Sequence, residues 1–485
     1  MSIASIRPAR TQDAPAALAR GAVDRAAHPS SRRSRPLPSH EHLRAVRPLD
    51  ALARQIPPVV SADLGVATVH RTVVDYANLD HAASTPALVS VKNAVDTALR
   101  TYSSVHRGNG FASRVTSEWY EAARRQVRGF VGAREGDEVI FTRNTTDSLN
   151  LLARALPRDT TVYVFESEHH AALLPWNPRR TVRLPVPGSA KDAELLLESA
   201  LSTSQAPQRL VVLTGASNVT GELWPVRRLA ELARRHGARV VLDAAQLAPH
   251  RTLDLDELGV DYVAFSGHKL YAPFGAGVLA GRADWLDAAA PYLAGGGATR
   301  AVTEEGTEWQ TGAARHEAGS PNVIGAIALA AACATLREHQ AAVEAHEQLL
   351  GRRLAQGLAA IEGVQTYSLF GDDHERVPVA VFTVEGLDSS LVSAALSAEH
   401  GIGVRDGRFC AHLLVGALVD DPYAAEPATA VRVSVGLANT AEHIERLLAA
   451  VEQLATSGPS TDYVQTDQGW VPAQDPRDLS VALPW

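Results

Sequence analysis

The sequence predicts an α/β fold, a mostly parallel β-sheet covered by helices on both faces. Three observations predict it. Short apolar runs alternate with helical runs between about 138 and 266. The runs are apolar at successive positions rather than alternate ones, as in strands buried on both faces of a parallel sheet. Polar residues gather just past the C-terminal ends of these runs, where sites in open α/β sheets lie.

Residues 1–65 are rich in Ala, Arg, Pro and Ser, with no hydrophobic period and no apolar leader core. A disordered extension is expected there, and not a secretory signal. A short extended piece over 76–86 ends in a turn. A helix over 90–102, a Gly/Asn loop at 106–110 and a long amphipathic helix over 118–130 follow. Strands are then expected at 138–142, 161–165, 209–214, 239–243 and 262–265, with helices over 147–156 and 226–236. The last strand runs into Ser266-Gly267-His268-Lys269 and a Gly/Pro-rich loop over 271–277. After Gly319-Ser320-Pro321, a helix over 323–338 opens a second unit that ends near 455. The tail over 456–485 is polar and contains proline.

A net charge of −8 argues against a nucleic-acid partner. The two cysteines, Cys333 and Cys410, make neither a disulfide framework nor a closed metal site, so no metal and a reduced, cytoplasmic setting are expected. The longest apolar run, 324–336, is too short to span a bilayer, so no membrane partner is expected.

Lys269 stands out because the chain holds only three lysines, the others being Lys92 and Lys191. A Schiff base needs a primary amine, which arginine cannot offer. A solvated loop lysine is the alternative. Asp243 closes the strand 26 residues earlier, one strand-helix-strand step away, and Gln246 follows. A lysine and a carboxylate so placed suit pyridoxal phosphate (PLP), with the carboxylate on the pyridine nitrogen; a helix cap is the alternative for Asp243. Thr145 and Thr146 stand at a helix start and suit a phosphate or plain capping, with Ser266 and His268 as further phosphate contacts. His170, in Glu168-His169-His170, suits stacking on a ring and moving protons, or a surface position. Cys410 sits in a loop beside cations, where a thiolate is favoured; Cys333 reads as core. Arg432 is a charge within an apolar strand, and a substrate carboxylate is its natural partner.

These residues together resemble the class V aminotransferase superfamily, within it the cysteine desulfurase and selenocysteine lyase branch. The resemblance covers about 72–455. It is carried by Leu79-Asp80-His81-Ala82-Ala83, Thr145-Thr146, Glu168-His169-His170-Ala171, Ser217-Asn218-Val219-Thr220-Gly221, Asp243-Ala244-Ala245-Gln246, Ser266-Gly267-His268-Lys269, Glu317-Ala318-Gly319-Ser320-Pro321 and Val404-Arg405 through Phe409-Cys410. It implies the PLP-dependent transferase fold: a large domain with a seven-stranded sheet (91–322) and a smaller α+β domain (323–455), joined by an arm over 66–90. It implies that Lys269 carries the cofactor, that Asp243 pairs with its ring nitrogen and that Gln246 contacts its ring hydroxyl. His170 stacks on the ring, with Asn218 nearby, and Thr145, Thr146, Ser266 and His268 hold the phosphate. Thr311 reaches the phosphate of a partner subunit in a homodimer. Arg432, with Arg405 and Asn218, binds an amino-acid substrate, cysteine by the resemblance. Cys410 takes its sulfur as a persulfide for a protein acceptor. Transamination, epimerisation or β-elimination on the same scaffold are the alternatives, and a low-turnover sulfur-handling protein a third. One departure stands out: the branch carries histidine before the cysteine, whereas here Arg408-Phe409 precede it, closer to the molybdenum-cofactor sulfurase pattern.

Overall fold

The computed structural model describes Leu52 and residues 54–485, apart from Arg107, residues 420–426 and Gln468. Most of the extension expected to be disordered lies outside the described residues.

The central sheet has seven strands: β1 (Asp137–Thr142), β2 (Thr160–Phe165), β3 (Thr181–Leu184), β4 (Gln208–Thr214), β5 (Arg239–Asp243), β6 (Tyr262–Ser266) and β7 (Gly277–Arg282). Their order is β1-β7-β6-β5-β4-β2-β3. All neighbours pair in parallel except β7, which runs antiparallel to both β1 and β6. Side chains alternate strictly between the two faces. Val240, Leu242, Val263 and Phe265 enter one core; Val241, Tyr262 and Ala264 enter the other. Both faces are therefore dry, which is why these strands read as unbroken apolar runs.

Two strands depart from the expectation. Residue 277 was expected within a loop, yet β7 starts there and is buried up to Gly281. Its glycines hid it, and they are needed: at Gly281 (φ 149°) a Cβ would collide with the carbonyl oxygen of Asp261. Strand β3 is an edge strand with polar positions and carried no apolar run. Helix bounds also differ. Helix α1 (Val89–Leu99) is close to expectation, but α2 (Phe111–Phe130) starts two turns early, because Phe111 is exposed and announces no apolar period. Helix α3 (Thr145–Ala155) begins directly after Asn144, its N-cap. Helix α4 (Val323–Ala359) is 37 residues long and continues well past 338. Its first half packs on α1 and α2, and its later part packs on the second unit.

That second unit holds a four-stranded antiparallel sheet of β8 (Val364–Thr366), β9 (Val379–Val384), β10 (Arg405–Gly407) and β11 (Ala430–Ser434), in the order β8-β9-β11-β10. Arg405 and Arg432 are direct cross-strand partners there. The N-terminal segment Ala77–Asn78 pairs in parallel with Ile402–Gly403, and Asp80 bridges to Ser434. The tail is not wholly irregular: Tyr463–Thr466 and Gly469–Pro472 form a hairpin against the helix Ser389–His400.

Glu317 ties the first unit together. Its carboxylate accepts both terminal nitrogens of Arg124 (2.8 Å each), the hydroxyl of Tyr120 (2.8 Å) and the amide of Phe141 (2.6 Å). A buried pair of this kind is worth little against an apolar pair, but losing one partner leaves a stranded charge. Glu317→Leu is expected to lower unfolding free energy by about 3–5 kcal/mol. Adding Arg124→Met should recover most of that loss. Chemical denaturation of the single and double variants checks both.

Candidate active site

The C-terminal ends of β4, β5 and β6 open on one cavity of about 220 Å³. Thr145, Thr146, Asn218, Asp243, Gln246, Ser266, His268, Lys269, Arg405, Cys410 and Arg432 all line it, as do His169 and Phe409. Eight chain segments far apart in sequence thus converge where an α/β sheet places its site.

The start of α3 abuts the end of β6. The Thr145 amide donates to Ser266 Oγ (2.8 Å), and the two hydroxyls lie 2.6 Å apart. Gly277 permits this approach, since a Cβ there would fall 2.5 Å from Cα of Asn144. Asn144 caps the helix through the amide of Asp147 (2.9 Å). Thr146 is open to the cavity while Thr145 is buried. The hydroxyls and the positive end of an 11-residue helix make a seat for an anion. His268 is half-buried, and its carbonyl accepts the amide (2.8 Å) and hydroxyl (3.0 Å) of Thr85, pinning the lysine turn to the N-terminal segment.

Lys269 follows on a single turn of helix, Gly267–Lys269. Burial lowers its ammonium to about 8; Asp243 opposes the shift and Arg432 adds to it. Asp243 is buried, and burial raises its carboxyl against the pull of the Ala245 amide (2.9 Å) and Lys269. Gln246 donates to the carbonyl of Ala82 (2.7 Å).

The histidine pair is resolved differently from expectation. His169 lines the cavity, and His170 does not. His170 opens a short helix and turns its ring to His412, with centroids 4.5 Å apart. Successive residues at this bend point apart, so only one can face the cavity. His169 Nδ1 accepts the amide of Ala171 (3.0 Å). Burial, then Lys269, His170 and Arg432, lower it to about 3. Its ring is thus neutral with the proton on Nε2. Glu168, just before, is wholly buried; it accepts the Thr214 amide (2.9 Å), and burial followed by Asp243 push its carboxyl well up.

Arg432 is buried, and burial lowers its guanidinium against the pull of Asp80. It donates to the carbonyl of Asn218 and to Asp80 Oδ1, both at 2.9 Å. Its Nε has no partner among the described residues. Arg405 is exposed and stands 3.8 Å from Asp80. Cys410 is exposed at the cavity wall, whereas Cys333 is buried, and burial pushes its thiol up. Thr311 lies apart. It lines a separate cavity with Arg124, Glu138 and Glu317.

Sequence reasoning missed three members. Asp80 was seen only within a motif, although a buried guanidinium requires a counter-charge. Asn144 carried the Asn signal of an N-cap and was passed over. His169 was adjacent to the residue chosen.

A depressed amine should show itself in reactivity, because only the deprotonated form is nucleophilic. In protein stripped of PLP, labelling of the three lysines with trace acetic anhydride across pH is expected to titrate Lys269 with a midpoint near 8, with reactivity rising as pH passes that value. The exposed Lys92 and Lys191 serve as internal standards. A Lys269 midpoint above 10 would contradict the burial argument.

The chain is similar to known proteins over most of its length. A probable cysteine desulfurase of Vibrio cholerae is 33% identical over 418 residues, covering 84% of this chain and 98% of that protein. A probable cysteine desulfurase 2 of Mycobacterium leprae is 35% identical over 390 residues, covering 77% and 90%. Among solved structures, a cysteine desulfurase of Thermococcus onnurineus superposes with a TM-score of 0.69 at 32% identity, covering 78% of this chain and 94% of its own. One from Escherichia coli superposes with a TM-score of 0.68 at 29% identity, covering 83% and 97%. The family model for class V aminotransferases matches residues 77–447, and the chain belongs to that family.

Proposed function

We propose that this chain is a PLP-dependent cysteine desulfurase that converts L-cysteine to L-alanine and takes the sulfur onto Cys410. One observation carries the reading: a desolvated amine, a buried carboxylate, a buried guanidinium and an exposed thiol line one cavity. The relatives that cover most of the chain are described as cysteine desulfurases.

The residues present fit PLP. Thr145, Thr146, Ser266 and the start of α3 suit its phosphate, and His268 lies beside them. Asp243, buried and with no guanidinium paired to it among the described residues, suits a protonated ring nitrogen. Gln246 suits the ring hydroxyl, and His169 rather than His170 suits stacking on the ring. Lys269 is the one cavity lysine for covalent attachment. Bound there, PLP supplies an electron sink for the pair released at the substrate's Cα.

The chain's own groups account for the rest. Arg432 takes the substrate carboxylate, with Arg405 at the cavity mouth. Lys269 Nζ, neutral above about pH 8, takes the proton from Cα and holds it at the floor of the site. Cys410 Sγ, as thiolate, attacks the substrate Sγ. The new S–S bond forms as the Cβ–S bond breaks, and the electron pair of that bond stays on the substrate, which takes up protons to become alanine. A reductant or a protein acceptor then removes the outer sulfur of Cys410, whose exposure suits such a transfer. We also propose a homodimer, in which Thr311 serves the partner subunit's site. Among the described residues no helix is long and apolar enough to cross a membrane, and no cluster of His, Cys, Asp or Glu suits a metal.

The purified protein is expected to be yellow and to give alanine and sulfide from L-cysteine in equal amounts when reductant is present. Lys269→Ala should lose the covalently linked absorption band. Cys410→Ser should keep the band and cut sulfide release by about a hundredfold or more. Sulfide release at the parent rate from Cys410→Ser, or keto acid in place of alanine, would replace this reading with another reaction of the family.

A further inference from the structure

The turn that carries Cys410 is held in a conformation it would rarely adopt alone. Phe409 (φ 50°) and Cys410 (φ 54°) are consecutive non-glycine residues in the left-handed region, which L side chains enter seldom and at a cost. Such strain persists only where neighbours enforce it. Here three contacts do. Asn218 Nδ2 donates to the carbonyl of Phe409 (2.8 Å). The His170 amide donates to the carbonyl of Cys410 (2.8 Å). The Phe409 ring is buried, with the Arg432 guanidinium carbon 5.2 Å from its centroid. Asn218 closes the circuit, since its own carbonyl accepts from Arg432 (2.9 Å).

We propose that Asn218 and Phe409 are positioning residues that clasp the Cys410 turn to Arg432, so that the group receiving the substrate carboxylate also sets where the thiol stands. The kinetic part of this inference rests on the desulfurase reading; the clasp is a property of the chain itself. The chemical need is clear. Once its carboxylate is fixed, a small amino acid presents its side-chain sulfur at one place, and the attacking thiol must be aligned with the bond that breaks. Tying both to one guanidinium makes the separation a fixed dimension of the site. Phe409 does this through its ring face, which neither an aliphatic side chain nor a protonated histidine offers to a cation.

Hydrogen exchange on the PLP-loaded protein tests it, alongside steady-state kinetics with L-cysteine. Asn218→Asp removes the donor with little change of shape, and Phe409→Leu removes the ring face. In both, the segment 408–412 and the His170 amide are expected to exchange about fivefold faster or more, while β6 stays protected. Sulfide-forming kcat should fall by at least as much, with KM changing less than kcat. Phe409→Tyr, which keeps the ring, should restore parent behaviour in both measurements. Unchanged exchange at 408–412 together with lost activity would overturn the proposal, because Asn218 and Phe409 would then act on bound molecules alone. Faster exchange with an undiminished kcat would overturn it as well. A parent protein that makes no sulfide, with exchange as expected, would remove the desulfurase reading and leave the clasp standing.

Discussion

Lys269 stands where water cannot fully solvate an ammonium, and the surrounding chemistry is arranged around that deficit. Burial favours the neutral amine; Asp243 restores part of the charge and Arg432 removes it again. The result is an amine poised near 8, able both to react and to carry a proton at ordinary pH. The same scarcity of water acts on its neighbours in the direction each charge demands. Asp243 and Glu168 are raised, and His169 and Arg432 are lowered. A solvated loop lysine would produce none of this pattern. The dryness itself comes from the sheet, whose two apolar faces leave only the strand ends for polar groups.

Placing those groups depends on close backbone approaches more than on side-chain reach. The start of α3 touches the end of β6 because position 277 lacks a Cβ. The lysine turn is tied to Thr85, and Gln246 to Ala82, so the N-terminal segment forms a wall of the site. The second unit then adds Arg405, Arg432 and Cys410 to the lining, with Arg432 held against Asp80 of that segment. Cross-strand pairing of β10 and β11 sets the two arginines side by side, and the Cys410 turn follows within a few residues of β10.

Much of this was legible in the sequence, and the exceptions have physical causes. Lys269, Asp243, Ser266 and Thr145 could be placed because each sits at the end of an apolar run, and strand ends converge in a sheet of this kind. The choice between His169 and His170 could not be made, since adjacent residues at a bend face opposite ways and periodicity has no hold there. Strand β7 was hidden by glycines that serve close packing and read as turn formers. The second half of α4 was hidden because its apolar stripe gives way to Glu, Gln and Arg. Asp80 escaped because a counter-ion 352 residues away from Arg432 leaves no local mark. Thr311 faces a different cavity of the same chain, so any part it has in a site is a matter of assembly.

With Arg432 proposed to take the substrate carboxylate, its pairing with Asp80 bears on how tightly that substrate can bind. A buried guanidinium without a counter-charge would be costly, and the substrate-free site meets that need internally. An incoming carboxylate therefore does not meet a bare cation. It either displaces Asp80 or takes N–H donors left open, since a guanidinium carries five and the Asn218 carbonyl and Asp80 accept one each. Displacement exchanges one ion pair for another, so much of the Coulomb gain cancels. Use of the open donors beside the existing pair adds hydrogen bonds, but it sets two carboxylates on one cation, with Arg405 near enough to Asp80 to share the charge. Either route limits how much affinity the carboxylate alone can contribute. The internal pair also keeps Arg432 in place before substrate arrives, so its geometry need not be organised by the binding event. A site built this way gives up ground-state affinity in return for a guanidinium already aligned, and through Asn218 and Phe409 that alignment extends to the thiol.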